Sequence, residues 1–176
     1  MAELTVSGGT HPILKDDYAS DWMGIEVVAL ADGHATIRMA LRQEMLNGFG
    51  MAHGGMIFAF GDTAFALSCN PVNPKPGEAG IETGSITVAS GVDINFLKPA
   101  FRGQVLTAVA NRRASTGRSG LYDIQIYAAD PGAAIPTAAP AGTAPVPTVP
   151  GELPTDNLPG ELVAEFRGRS RTISKK

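Results

Sequence analysis

The chain has 176 residues, enough for one domain that hides roughly 70% of its unfolded surface and too few for two domains of ordinary size. Apolar residues make up 44% and charged residues 18%, which excludes a wholly disordered chain. The net charge of -3 argues against a general nucleic-acid binder, and the single cysteine, Cys69, excludes an intrachain disulfide and a thiolate metal cluster.

Residues 1–11 carry Ser7-Gly8-Gly9-Thr10 and no periodic pattern, and read as a flexible tail. They show neither a basic n-region nor an apolar h-region, so no secretory signal is expected and the chain reads as cytoplasmic. Pro12 suits a first helical position, and Ile13, Leu14, Tyr18 and Trp22 would form the apolar side of a short helix ended by Gly24. Residues 25–41 predict a β-hairpin turning at Asp32-Gly33. The run Met45 to Gly61 is apolar-rich but holds Asn47, His53 and five glycines, so it does not read as a membrane span. Residues 54–69, GGMIFAFGDTAFALSC, are apolar on every side and predict a helix buried all round, stopped at Asn70-Pro71. Strands follow at 85–97, 104–113, 120–129 and 161–170. In the first of these, Ile86, Val88, Val92, Ile94 and Phe96 lie two apart, allowing for Ser90. The expected architecture is α+β, one domain over 12–173 in which an antiparallel sheet wraps a central buried helix, with 174–176 a short tail.

Residues 131–159 hold eight of the thirteen prolines and no Lys or Arg. Such a run cannot build a core and reads as a loop insertion between two strands.

Asp62 stands out because it falls in the middle of the apolar helix. A buried carboxylate must be paired, protonated, or placed in a cleft where its charge is used, and burial raises its pKa. A structural aspartate bonded to backbone N–H groups is the alternative. The second feature is Asn47-Gly48-Phe49-Gly50-Met51-Ala52-His53-Gly54-Gly55, a glycine-rich turn that runs into the start of the same helix. Helix N-termini carry unsatisfied N–H groups, and glycines let a ligand oxygen approach the backbone, as an oxyanion hole requires. A plain helix-start turn remains the alternative. A P-loop does not, since G-x-x-x-x-G-K-[ST] is missing. His53 has no His or Cys nearby with which to build a metal site.

Gly54 and Asp62 are eight residues apart, roughly 12 Å along a helix. A catalytic carboxylate and an oxyanion hole must both lie ~3 Å from one reacting group. One chain therefore cannot offer both to the same carbonyl, but two antiparallel helices related by a two-fold axis can, which predicts a homodimer with shared sites.

The segments 45–70, 92–108, 116–124 and 162–173, with 19–41 upstream, resemble the hotdog-fold acyl-CoA thioesterases, and among them the phenylacetate-degradation (PaaI-type) family. The resemblance implies a hotdog fold and hydrolysis of hydroxyphenylacetyl-CoA-type thioesters to free acid and CoA. It also implies a dimer-of-dimers tetramer, with CoA as part of the substrate and no cofactor or metal. It implies that Asp62 is the catalytic carboxylate, as nucleophile or as general base on water. The Gly54 N–H would polarise the thioester carbonyl, Asn47 would place the water or the carbonyl, and His53 would shape the turn. On physical grounds Phe49, Phe58, Phe65 and Met51 could line a pocket for a flat ring, and Gly55, without a side chain, lets a substrate oxygen approach. For the aromatic residues the alternative is plain core packing. Ala66 stands one turn after Asp62, where a related Glu-type group has Thr, which favours an Asp-type branch.

Two other readings meet obstacles. A hydratase or dehydratase wants a histidine paired with the carboxylate, and the nearby candidate, His53, lies in the turn. A non-catalytic acyl-CoA sensor would dispense with Asp62. Arg167, Arg169 and Arg171 alternate and would share one strand face, as a solvated edge or as contacts for CoA phosphates. Lys98, Arg102, Arg112 and Arg113 are further candidates for the phosphates.

Overall fold

A computed structural model describes residues 11–72, 84–132 and 159–174. Helix α1 spans Tyr18–Met23, with the Asp17 side chain capping the Ser20 N–H at 3.0 Å and Gly24 closing it at φ 71°. Gly24 meets that left-handed angle at no steric cost. Strands β1 (Glu26–Ala31) and β2 (His34–Ala40) form the expected hairpin around Asp32-Gly33. Helix α2 spans Gly54–Cys69, followed by β3 (Ser85–Phe96), β4 (Val105–Thr116), β5 (Ser119–Ala129) and β6 (Glu161–Ser174).

The six strands form one sheet in the order β1-β2-β4-β5-β6-β3, every pairing antiparallel. Helix α2 touches all six strands. Ile37, Met39, Leu106, Ala108, Ile124, Ile126, Ala164 and Phe166 line the sheet's inner face and form the core with Ile57, Phe60, Ala64, Phe65 and Leu67 of α2. Close approach is made possible by two glycines. A methyl group at Gly61 would lie 3.0 Å from the Phe166 ring, and one at Gly168 would lie 2.8 Å from the Phe65 ring. Phe65 fills the slot that Gly168 leaves and meets Tyr122 edge-on, with ring centroids 5.3 Å apart.

Five expectations are corrected. Helix α2 is not buried all round: Gly55, Met56, Ala59, Asp62, Thr63 and Ala66 are exposed or half-exposed along one flank. The helix after Pro12 is two pieces, a single turn at Pro12–Leu14 and then α1, whose Tyr18 and Trp22 point outward, 80% and 51% exposed. Trp22 instead supports the Arg42 guanidinium, 5.2 Å above its ring. His11 belongs to the fold and not to a tail: it is 2% exposed, and its Nε2 donates to the Asn70 carbonyl at 2.8 Å. In β3 a bulge between Ala89 and Gly91 shifts the phase, because one extra residue turns the following side chains over. Val88 thereby faces outward opposite Arg171, while Thr87 faces inward.

Asn70 closes α2. Its Nδ2 donates to the carbonyls of Ala66 and Thr87 at 2.9 and 2.8 Å, and its Oδ1 accepts from the Thr87 N–H at 2.9 Å. Strand β6 runs through Ser174, which pairs with Ser85, so that residue is not tail. Most of the Pro-rich segment, 133–158, lies outside the described residues, as do 1–10.

Candidate active site

The turn before α2 is built by Asn47. Its Oδ1 accepts from the N–H groups of Phe49 and Met51 at 2.9 and 3.2 Å, and its own N–H donates to the Met51 carbonyl at 2.8 Å. That leaves the Asn47 Nδ2 without an acceptor among the described residues. The next tie is the His53 N–H to the Met45 carbonyl at 2.8 Å.

His53 is the N-cap. Its Nδ1 accepts from the Gly55 N–H at 3.0 Å, and its carbonyl accepts from Met56 and Ile57 at 2.9 and 3.2 Å. The accounting of the first turn then singles out one group. The N–H groups of Gly55, Met56 and Ile57 are all satisfied, and that of Gly54 has no acceptor among the described residues. A free N–H at the positive end of a sixteen-residue helix is suited to bind an oxygen that gains negative charge. Gly55, expected to contact substrate, has its N–H committed to His53.

Asp62 lies on the half-exposed flank of α2. Burial raises its carboxyl above the ordinary 3.8. Ser20 donates its hydroxyl to Asp17 at 2.6 Å, and the Thr63 hydroxyl, 3.2 Å from both the Ala59 carbonyl and Ser20 Oγ, donates to one of the two. Helix α1 thus braces the stretch of α2 that carries Asp62. No side chain of the described residues hydrogen-bonds the carboxylate.

The aromatic residues part company. Phe65 is 1% exposed and is a core residue; the expected substrate contact gives way to packing in the Gly168 slot. Phe58 is half-buried with its ring 5.5 Å from that of Phe166. Phe49 is 86% exposed on the turn. Asn47 also borders an open depression with Gln43, Leu46, Gly48, Gly50, Phe101 and Arg102.

Most of the basic candidates have partners. Arg167 pairs with Asp123 at 2.7 Å and Arg169 with Asp93 at 2.7 Å, on the face of the sheet turned away from α2. Arg113 joins Asp123 at 3.3 Å, Lys98 pairs with Glu161, and Arg102 donates to Gln43 at 3.1 Å. Arg112 pairs with both oxygens of Asp32 at 2.9 and 3.0 Å. It borders a cavity of about 260 Å³ at the C-terminal end of α2, with Arg118, Tyr122, Ser115, Ser119 and Thr172. The sequence reading did not single out Arg118; its signal was the turn Thr116-Gly117-Arg118-Ser119, which lifts a cation to a hairpin tip. No group of three metal-ligating side chains occurs among the described residues, and no described helix is long and apolar enough to cross a membrane.

An antiparallel sheet wrapped around one helix is the hotdog fold, and comparison with known proteins makes its class that of the thioester hydrolases. The thioesterase superfamily profile matches residues 49–135. The acyl-coenzyme A thioesterase PaaI of Escherichia coli is 36% identical over 116 residues, which are 66% of this chain and 75% of that protein. The chain belongs to the thioesterase superfamily and, within it, to the family of that enzyme. Among solved structures, that of the E. coli PaaI protein from the phenylacetic acid degradation operon aligns at TM-score 0.66 and 29% identity, covering 93% of this chain and 90% of the other. A point mutant of the phenylacetic acid degradation protein PaaI from Thermus thermophilus shares the fold at TM-score 0.62 and 23% identity, covering 88% of this chain and 98% of the other.

Proposed function

We propose that the protein hydrolyses acyl-CoA thioesters to free acid and CoA, with phenylacetyl and hydroxyphenylacetyl groups as the preferred acyl class. The observation that carries this reading is the unsatisfied Gly54 N–H on the helix that also bears Asp62. The substrate class is supported by its relatives: one is an acyl-coenzyme A thioesterase, and the structure of that protein is described as coming from a phenylacetic acid degradation operon.

The thioester carbonyl accepts a hydrogen bond from Gly54, which strengthens as the oxygen becomes an alkoxide. Asp62 of a second copy acts on the carbonyl carbon, as base toward water or as nucleophile. In the base route the carboxylate takes one water proton, hydroxide adds to carbon, and collapse expels the CoA thiolate, which takes that proton. The Asn47 Nδ2, which has no acceptor among the described residues, orients the water or the carbonyl in this reading. His53 acts at a distance by occupying the Gly55 N–H.

The second copy is required because Gly54 and Asp62 stand roughly 12 Å apart along α2. The half-exposed flank of α2 supports this, since Gly55, Ala59 and Ala66 are small enough to let a second helix come close. The assembly is a homodimer with two shared sites, paired again into a tetramer, without cofactor or metal, in the cytoplasm. The cavity bearing Arg112 and Arg118 is suited to the phosphates of CoA. The test is thiol release from phenylacetyl-, hydroxyphenylacetyl- and straight-chain acyl-CoAs, with Asp62→Asn alongside. The expected result is turnover highest for the aryl esters and a kcat loss in the variant of more than ~100-fold. Thiol release from none of the esters would overturn the reading.

A further inference from the structure

We infer that Phe96 is a positioning residue for this reaction: its ring roofs the Gly54 N–H, excluding water and turning a positive edge toward the developing oxyanion. The inference rests on the reading of Gly54 given above.

Phe96 is the last residue of β3, paired with Ala164 of β6, and that pairing sets it on the inner face of the sheet with Ile94 and Phe166. The inner face is where α2 packs. Yet Phe96 is 53% exposed and is not a member of the core that α2 closes. Its ring instead reaches the first residue of α2. A methyl group added to Gly54 would lie 3.2 Å from Phe96 Cζ, 3.6 Å from Cε1 and 3.7 Å from Cε2. The three atoms nearest Gly54 are the outer edge of the ring, the side that carries the positive end of an aromatic quadrupole.

Two consequences follow for the N–H beside it. A hydrogen bond to an anionic oxygen strengthens where water and its dielectric screening are kept out, and on this inference the ring, whose tip lies beside the Gly54 Cα, keeps solvent from one side of that donor. The positive edge is also compatible with negative charge on the oxygen and gives a neutral carbonyl less. Both effects grow toward the transition state, so their loss falls on kcat more than on KM. A Cβ at position 54 would meet the ring tip at 3.2 Å, a contact that the half-exposed ring relieves by shifting a few tenths of an ångström.

The experiment compares wild type, Phe96→Ala, Phe96→Leu and Asp62→Asn on phenylacetyl-CoA. A second readout is the carbonyl stretch of the ketone analogue in which CH2 replaces the thioester sulfur, bound to each variant. Phe96→Ala should lower kcat by about tenfold with KM changed less than about threefold, a modest share of what one oxyanion donor supplies. The bound ketone's carbonyl band should return toward its value in water. Phe96→Leu keeps the roof without the quadrupole and should fall between, which also guards against a folding defect in the alanine variant. Wild-type kcat and an unshifted band in Phe96→Ala, with Asp62→Asn inactive, would overturn the role of Phe96 alone. A rise confined to KM would overturn it too, making the ring a wall for the acyl group. An inactive wild type would overturn both this inference and the reading beneath it.

Discussion

Burial raises the Asp62 carboxyl, and no described side chain donates to it to offset that shift. The ionised form is therefore a cost to the fold, and one that the proposed mechanism requires. The sign follows from linkage. A folded pKa above the unfolded 3.8 means that protons favour the folded state, so the cost is absent below 3.8 and fully present above the folded value. We predict that Asp62→Asn, while losing activity, raises the thermal midpoint at about pH 7 and leaves it unchanged at about pH 3. A variant less stable than wild type at neutral pH would show the carboxylate to be structurally paired. kcat/KM should likewise fall toward acid with an apparent pKa above that of an ordinary aspartate. The anomaly of this residue was legible from its place in an apolar helix. Its half-exposure was not, because a stripe of Gly, Ala and Met reads as apolar whether or not anything covers it.

At the scale of elements, α2 and the sheet are held together by glycines as much as by large side chains. A Cβ at Gly168 would stand 2.8 to 2.9 Å from three atoms of the Phe65 ring, and that ring is locked between Tyr122 and Phe166. Gly168→Ala should destabilise the fold by about 1–3 kcal/mol through overpacking. Adding Phe65→Leu should recover part of the loss, so that the double variant is more stable than the sum of the singles. Strict additivity in urea unfolding would show that the two positions do not share a slot. The strands themselves were legible from turn signals and alternation. The β3 bulge was not, since Ser90 offered no more than a break in the pattern, and the break decides which side of the sheet Val88 and Thr87 face. For Phe65 core packing, the alternative to substrate contact, holds, because Gly168, more than a hundred residues later, makes room for its ring.

For the whole molecule, the proposed function, with Gly54 and Asp62 acting on one carbonyl, makes the assembly part of the chemistry. One subunit carries Asp62→Ala and the other Gly54→Pro, which removes the N–H yet suits a helix start. Each homodimer should be inactive. Co-refolded in equal amounts, about half the dimers are mixed and each has one intact site, so about a quarter of wild-type activity should return. Silence from mixed dimers verified by mass would place both groups in the site of a single chain. The shared-site arithmetic was available from helix rise alone. What the sequence lacked was the hydrogen-bond accounting that leaves Gly54, and not Gly55, with a free donor, because it depends on the rotamer of His53.

His11 ties the segment before α1 to the end of α2, and this gives the molecule an acid-labile seam. Its Nε2 donates to the Asn70 carbonyl while its Nδ1 accepts from the Ile13 N–H at 3.2 Å, an arrangement open to the neutral ring alone. Burial lowers its pKa below 6.5, outweighing the backbone hydrogen bond that raises it. Its contribution is full above the unfolded 6.5 and is lost as pH falls toward the folded value. Among the described residues, α1 is held by Arg42, which donates to the Trp22 and Met23 carbonyls, and by the buried Met23, so the stretch from His11 to Asp17 can open while α1 and the sheet stay closed. Amide exchange should then quicken in 11–17 as the pH falls below about 6.5, after correction for intrinsic rates, ahead of any change in β4 or β5. His11→Gln, whose amide does not titrate in that range, should remove the pH dependence; uniform exchange across the chain would mean that the segment and the core melt together.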